Sequence, residues 1–312
     1  MALKLTRLVL AVFFATVTLT RGQQAVSSIT QSRLSTNSPA PAAALIDANG
    51  TALPESEEAS SDDGSFGAQI ILKNQPRPRS FAVFGSVSAF HTNNVDLTPH
   101  GRRNDVFVAA TVGAAWRPTI TRSLLADISA GSSVFRYERA SELNFEKISA
   151  GAGLSWLVPR TPGIIAFARY DFAELLKSGG KELLQDHELA MGLHKSFAFG
   201  RSHFLTAGIT GVLGKSRPRS EERDQVGIHA AYHLQITRSI EADLLYRYAA
   251  QFYDAGGRVD HNQALSIALG FYPARWFRVD SSVSAARNDS SLSAFDYDVL
   301  SLGGGIKFDF RF

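Results

Sequence analysis

The chain has 312 residues, of which 45% are apolar and 20% charged, and it contains no cysteine. The absence of cysteine excludes disulfides, thiolate metal sites and a lipid-modified N-terminal cysteine. The formal net charge is +3, but residues 1–22 hold three of the 32 bases and none of the 29 acids. The remainder is neutral, so we expect no nucleic-acid partner.

Residues 1–22 have the layout of a secretory signal peptide. Lys4 and Arg7 form a positive start, an apolar run of about 12 residues follows, and small residues come after it. The alternative is a membrane anchor, but the run is too short to span a bilayer. We therefore predict a signal peptide over 1–22, cleaved after Gly22 or after Ala25.

Residues 23–65 are rich in Ser, Thr, Ala, Pro and acidic residues and show no hydrophobic periodicity. Such a composition cannot bury enough apolar surface to fold, which predicts a disordered periplasmic linker with a solvated acidic cluster. Residues 66–79 form a short segment that either enters the following domain or lies across its mouth.

From residue 80 onward, runs of about 14 residues with alternating character are separated by connections. They are 80–95, 104–118, 123–137, 145–158, 163–176, 186–199, 203–215, 223–236, 239–253, 259–272, 276–289 and 296–312. Alternation of this kind indicates strands with one apolar and one polar face. Twelve runs, an even number, predict an all-β fold over 80–312: a transmembrane antiparallel up-and-down β-barrel of about 12 strands.

The connections are predicted to alternate in length. The short ones are 118–122, 159–162, 200–202, 237–238 and 273–275, and the longer, polar ones include 96–103, 177–185, 215–222 and 254–258. In outer-membrane barrels short turns face the periplasm and longer loops face outward. We therefore expect both ends of the barrel to be periplasmic.

Aromatic residues are expected to form a belt at each rim. Trp116, Trp156 and Trp276 lie beside short turns. The residues near the longer loops are Tyr137, Tyr170, Phe172, Tyr248, Phe252 and Phe295.

The polar face of the runs carries charges of both signs. The predicted lumen-lining residues are Arg117, Asp127, Arg169, Asp171, Glu188, His229, His233, Glu241, Asp243, Arg247, Arg278, Asp280, Lys307 and Asp309. One interpretation is a water-filled conduit whose charges set selectivity. The other is a salt-bridge network that plugs a narrow barrel, because charges out of water need partners. Twelve strands lie between filled small barrels and open porins, so both interpretations stand.

Tests for chemistry yield little. His194 and Ser196 have the spacing of the pair in outer-membrane phospholipase A, but they fall on the polar face and the next run supplies no asparagine. His229 and His233 are about 13 Å apart along one strand, too far to share a metal ion. We expect no enzyme activity, cofactor or metal.

The charged segment Lys215 to Arg223 could contact lipopolysaccharide or be a solvated loop.

The last run ends with apolar residues at alternate positions, among them Phe308, Phe310 and Phe312. In this it resembles bacterial outer-membrane β-barrel proteins, whose terminal strand ends in Phe. The resemblance implies that this strand closes the barrel and is recognised by the membrane assembly machinery.

The final third carries more specific motifs: Asp260-His261-Asn262, Tyr272-Pro273-x-x-Trp276, Asn288-Asp289-Ser290 and Asp296-Tyr297-Asp298, with Thr92-Asn93-Asn94-Val95 ending the first run. These resemble the β-barrel porin type-2 proteins, found with exopolysaccharide export genes. The resemblance implies a barrel in the outer membrane of a double-membrane bacterium, in contact with lipid and lipopolysaccharide. The expected function is a narrow porin-like channel for hydrophilic solutes or saccharides. The alternative is a closed structural or surface-binding barrel in envelope or exopolysaccharide assembly.

Overall fold

The computed structural model describes residues 80–200 and 202–312. The predicted signal peptide over 1–22, the linker over 23–65 and the segment over 66–79 lie outside the described residues.

The described chain consists almost entirely of β-strands. They are β1 (Phe81–Thr92), β2 (Asp105–Trp116), β3 (Thr119–Thr121), β4 (Leu124–Tyr137), β5 (Phe145–Leu157), β6 (Ile164–Lys177), β7 (Glu182–Ala198), β8 (His203–Arg217), β9 (Arg223–Gln235), β10 (Ile240–Tyr253), β11 (Val259–Ala274), β12 (Phe277–Ser290) and β13 (Tyr297–Arg311). Within these described ranges, three single-turn 3-10 helices occupy connections, at Ser141–Leu143, Arg219–Glu221 and Ser293–Phe295. No helix among the described residues is long and apolar enough to cross a membrane.

Each long strand pairs antiparallel with its neighbours along the chain, and β2 pairs with β4 across the short β3. The first and last strands also pair, from Ala82 opposite Arg311 to Thr92 opposite Ser301. The twelve long strands of the described chain thus close into a barrel. Closure gives the backbone N–H and C=O groups at every strand edge a hydrogen-bonding partner strand. The prediction of an all-β antiparallel barrel of about 12 strands is confirmed.

The barrel has two rims. The terminal rim carries Ser80, Phe312 and the connections 117–123, 158–163, 199–202, 236–239 and 275–276. The distal rim carries the connections 93–104, 138–144, 178–181, 218–222, 254–258 and 291–296.

The predicted difference in connection length is only partly correct. The expected long loops over 177–185 and 215–222 are hairpin ends, because β7 begins at Glu182 and β8 continues to Arg217. The start of β7 was missed because Leu184 points inward into an apolar cluster, so an apolar residue occupies a position where alternation predicts a polar one. On the distal rim only the connection over 93–104 exceeds seven residues.

The outer surface of the barrel is apolar between the rims. Its exposed large side chains include Val106, Val108, Val112, Ile128, Ile148, Leu154, Leu193, Ile209, Leu213, Val226, Ile228, Leu244, Leu265, Ile267, Leu269, Val279, Val283, Leu300 and Leu302. A continuous apolar surface of this extent is not stable in water and suits lipid hydrocarbon. Lys195 also points outward, but it lies opposite Ile164 beside a turn of the terminal rim, where a lysine can reach polar surroundings.

The aromatic residues follow the predicted belts only in part. Trp116, Trp156 and Trp276 point outward near the terminal rim, and Phe252 points outward near the distal rim, whereas Tyr170 points outward at the middle of β6. Phe295, which is predicted to lie in the distal belt, packs against the buried guanidinium of Arg258. Tyr137 lies near the distal rim as predicted but points inward, where it is 5% exposed and packs on Phe107. It belongs to the interior rather than to a belt.

An apolar core fills part of the interior, which alternation alone does not predict. We call it the aromatic cluster: Phe90, Val95, Phe107, Ala109, Phe135, Tyr137, Ala140, Leu143, Phe145, Leu175 and Leu184. Phe135 stacks on Phe145 with ring centroids 4.3 Å apart, and Phe90 stacks on Phe107 at 5.1 Å. The expectation of a wholly polar inner face is therefore wrong for the distal ends of β1 to β7.

Candidate functional site: the inner face of the barrel

The inner face carries two arginine-centred clusters on opposite walls. One spans β4 to β6 and the other β10 to β12, so their middle strands, β5 and β11, lie six strands apart in a ring of twelve. Both clusters lie in the strand halves that adjoin the terminal rim.

The first cluster, the Arg169 bridge, joins β6 to β4 across the intervening β5. From β6, Arg169 donates to Asp127 and, at 2.8 Å, to Ser129, both on β4, and at 2.7 Å to Asp171 on its own strand. Arg117 donates to the second oxygen of Asp127 at 3.0 Å. Two carboxylates therefore share two guanidinium groups, and the Asp127 side chain is 17% exposed.

The second cluster, the Arg278 bridge, has the same plan. From β12, Arg278 forms ion pairs with Glu241 and, at 3.2 Å, with Asp243, both on β10. His233 on β9 lies 2.7 Å from Asp243, measured from Nδ1 to Oδ1. Tyr272 donates to Glu241 at 3.0 Å and fixes that carboxylate.

Both bridges depend on glycine in the strand that the arginine crosses. A Cβ added to Gly270 on β11 would lie 2.6 Å from Nε of Arg278. A Cβ at Gly151 on β5 would collide with the guanidinium of Arg169 and with Asp171. Glycine in a strand often marks such a close approach.

The other predicted lumen residues lie on the same face. Lys307 is 3.5 Å from Asp280, and Arg311 donates to Asp309 at 3.1 Å beside the terminal rim. Glu188 accepts from Arg223 at 3.3 Å, which joins β7 to β9 in the distal half.

Sequence reasoning missed a charged cluster in the distal half. Arg223 is 5% exposed and lies 3.8 Å from Asp186. Arg258 is equally buried, 3.4 Å from Asp260, and its guanidinium sits between the rings of Tyr253 and Phe295, at 3.5 and 3.9 Å from their centroids. The alternation of polar and apolar residues could have indicated part of this cluster, because it assigns Arg223 to the inner face of β9.

The segment Lys215 to Arg223 is not a uniform solvated loop. Arg223 is buried, and Lys215 forms an ion pair with Glu222, which lowers the pKa of that carboxyl. Glu221 is 1% exposed, and this burial raises the pKa of its carboxyl. The part that can contact an external surface is reduced to the outward side of this hairpin end.

A cavity of about 250 Å³ opens on the inner face of β8 to β13. Its lining is Thr210, Arg223, Gln225, Gly227, Ile228, His229, Arg247, Tyr248, Ala249, Gln251, Tyr253, Asp260, Asn262, Ala264, Ala286, Asn288 and Tyr297. Its polar side chains include four carboxamides and two buried tyrosines, together with the ionisable residues Arg223, His229, Arg247 and Asp260. Of the predicted lumen residues, His229 and Arg247 lie here.

Three of the four sequence motifs of the final third, those at 260–262, 288–290 and 296–298, meet on this wall, whereas the motif over 272–276 lies at the terminal rim. Asn262 donates to Tyr297 at 2.9 Å, Asn288 donates to the carbonyl of Phe295 at 3.0 Å, and Asp260 accepts from Ser290 at 2.6 Å. Asn94, from the motif that ends the first run, donates to the carbonyl of Asp298 at 3.0 Å. These residues fasten β11 to β13 and the connection 93–104 together.

Among the described residues, one group of side chains has the spacing of metal ligands: His233, Glu241 and Asp243, whose donor atoms lie within 4.8 Å of one another. The Arg278 guanidinium already compensates both carboxylates, so the arrangement fits an ion-pair cluster better than a cation site.

His194 and Ser196 point to the interior, with His194 2% exposed and Ser196 bonded to Thr206 at 3.1 Å. Neither faces lipid, as a phospholipase pair would.

Comparisons with known proteins agree on the fold. No family profile and no curated protein sequence matches this chain. Among solved structures, an outer membrane channel from Pseudomonas putida F1 superposes with a TM-score of 0.53 at 8% identity, covering 80% of this chain and all of that one. The beta domain of a Bordetella autotransporter gives 0.48 at 8% identity, with 74% and 100% covered. This chain shares the closed-barrel fold of the Pseudomonas channel.

Proposed function

We propose that this protein is a narrow channel in the outer membrane of a double-membrane bacterium, passing small hydrophilic solutes or saccharides. The observation that best supports the proposal is the contrast between the two faces of one closed barrel: the exterior is apolar, and the interior holds a cavity lined in part by polar and ionisable side chains. The predicted lumen-lining residues belong to this proposal as the groups that set its ion selectivity.

The decisive experiment is single-channel conductance of the refolded protein in a planar bilayer. Arg278→Gln removes a positive inner charge and is expected to make the current more cation-selective. Asp243→Asn removes a negative one and is expected to shift selectivity the opposite way. Arg287→Gln is the matched control, because Arg287 lies on the same strand but points outward, with 64% of its side chain exposed.

Opposite shifts with an unchanged control would support both the channel and the role of the inner charges. Discrete current steps whose ion selectivity is the same in all three variants would support a channel and refute the role of these residues in selectivity. Heat-modifiability on gels checks that each variant is folded.

A second candidate function is a closed barrel with a structural or surface-binding role in envelope or exopolysaccharide assembly. The observation that favours it is the filling of the lumen by the aromatic cluster and the two arginine bridges. No current from a folded, heat-modifiable protein would select this candidate.

Several partners follow from the outer-membrane proposal. The apolar exterior would contact lipid, and exposed charges on the distal rim, such as Arg102 and Lys215, would contact lipopolysaccharide. The barrel-assembly machinery would recognise the strand that ends in Phe308, Phe310 and Phe312, with the terminal rim in the periplasm. Deletion of Phe312 should then lower the outer-membrane fraction of the protein in cells, while the control Phe252→Ala should not.

A further inference from the structure

The cavity on the inner face of β8 to β13 differs from an ion pathway in its chemistry. Register pairing puts Gln225 opposite Gln251, and Asn262 opposite Asn288, in two adjacent rows across the sheet. Four neutral carboxamides thus line one concave wall, where a pore for ions would present unpaired charge.

We infer that this cavity is a binding subsite for an uncharged, polyhydroxylated solute of about the size of one sugar ring. The inference rests on the proposed function and names the solute class for which the channel is built. Sites for drug-sized ligands measure about 300–1,000 Å³. A cavity of about 250 Å³ therefore suits a smaller molecule.

The carboxamides have hydrogen-bonding capacity left for such a solute. Each offers two N–H donors and two oxygen lone pairs. Gln251 donates to Gln225 at 3.1 Å and accepts from Tyr253 at 3.3 Å, and Asn262 donates to Tyr297. Within the described part of the chain these bonds occupy at most two of the four positions of each amide, and hydroxyl groups can both accept from and donate to the rest.

Two of the charged residues in the lining, Arg223 and Asp260, are already held by ion pairs. Arg223 is held by Asp186 and Glu188, and Asp260 is held by Arg258 and Ser290. Arg247 also interacts with another group of the described chain. An anion or cation that entered would compete with these interactions, whereas a neutral solute would leave them intact.

The test compares glucose with glucuronate, which has the same ring and one carboxylate. Saturation-transfer NMR on the detergent-solubilised protein measures binding without requiring current. We expect transfer to glucose and weaker transfer to glucuronate. Gln251→Ala and Asn262→Ala should each lower the glucose affinity about threefold to tenfold, the effect of one lost hydrogen bond.

The matched control is Gln263→Ala, because Gln263 is next to Asn262 on β11 and points to the opposite face. Absence of glucose transfer, stronger binding of glucuronate, or equal losses in the control would overturn the inference. Conductance measured on the same preparation separates the two proposals. Current without amide-dependent glucose binding refutes the subsite alone, and amide-dependent binding without current supports the subsite and refutes the channel.

Discussion

The two sides of the distal lumen differ in polarity and packing. On β1 to β7 the inner face buries stacked phenylalanines, with Phe135 and Phe145 at or below 1% exposure. On β8 to β13 the same depth presents carboxamides, tyrosines and buried ion pairs around a cavity. One half of the interior therefore supplies packing energy, and the other half leaves space and hydrogen-bonding groups, as a binding wall requires.

The largest expected effect comes from opening the packed side. Phe135→Ala removes a ring that is 1% exposed and stacked on Phe145 at 4.3 Å, and we expect it to lower the free energy of unfolding by about 3–5 kcal/mol. Urea unfolding in detergent would measure this. The outward Phe252→Ala should cost much less, because its ring is 47% exposed. Equal losses would mean that the aromatic cluster is not a packed core.

An intermediate effect is expected at the crossing of the Arg278 bridge. Gly270→Ala puts a methyl group 2.6 Å from Nε of Arg278, so the guanidinium must shift away from its ion pairs, and overpacking of this kind costs at most about 1–3 kcal/mol. The displaced arginine should also shift ion selectivity in the same direction as Arg278→Gln. The control is Gly211→Ala, since nothing lies within 4 Å of a Cβ at Gly211. A silent Gly270→Ala variant would show that Arg278 does not need the glycine.

The smallest effect is expected on the exposed loops over the aromatic cluster. The Arg103 guanidinium lies 2.8 Å from Glu142 and holds the pKa of that carboxyl below its usual value. A lowered folded-state pKa stabilises the protein above the ordinary carboxyl pKa, and this contribution is lost as the pH falls through the lowered value. Both side chains are about half exposed, so Glu142→Gln should cost less than about 1 kcal/mol at pH 7. The difference between Glu142→Gln and the unmodified protein should vanish in acid, and persistence there would exclude the ion pair as its cause.

The barrel could be predicted from the sequence because each strand repeats the same two-residue alternation. Strands such as β10, with Leu244 and Tyr246 outward and Asp243 and Arg247 inward, are readable residue by residue. The aromatic cluster was missed because Phe107 and Phe135 put apolar groups on both faces of β2 and β4, which weakens the alternation.

The arginine bridges could not be predicted as contacts. Arg169 and Asp127 are 42 residues apart and two strands apart, so their meeting depends on the register of β5 between them. Local periodicity assigns a side chain to a face but does not say which partners share its row. The cavity wall has the same origin, since Gln225 and Gln251 meet only through the pairing of β9 with β10.

The seam between β1 and β13 has a consequence for how the protein acquires its structure. The amide of Leu300 donates to the side chain of Asn93, 207 residues earlier in the chain. Contacts of such sequence separation require closing a very long loop, and folding rates fall steeply as contact order rises. Until β13 arrives, β1 presents an unsatisfied edge that can pair with other chains. We therefore expect closure of this seam to be the slow, aggregation-sensitive step of folding, and the step at which a folding catalyst would have the greatest effect.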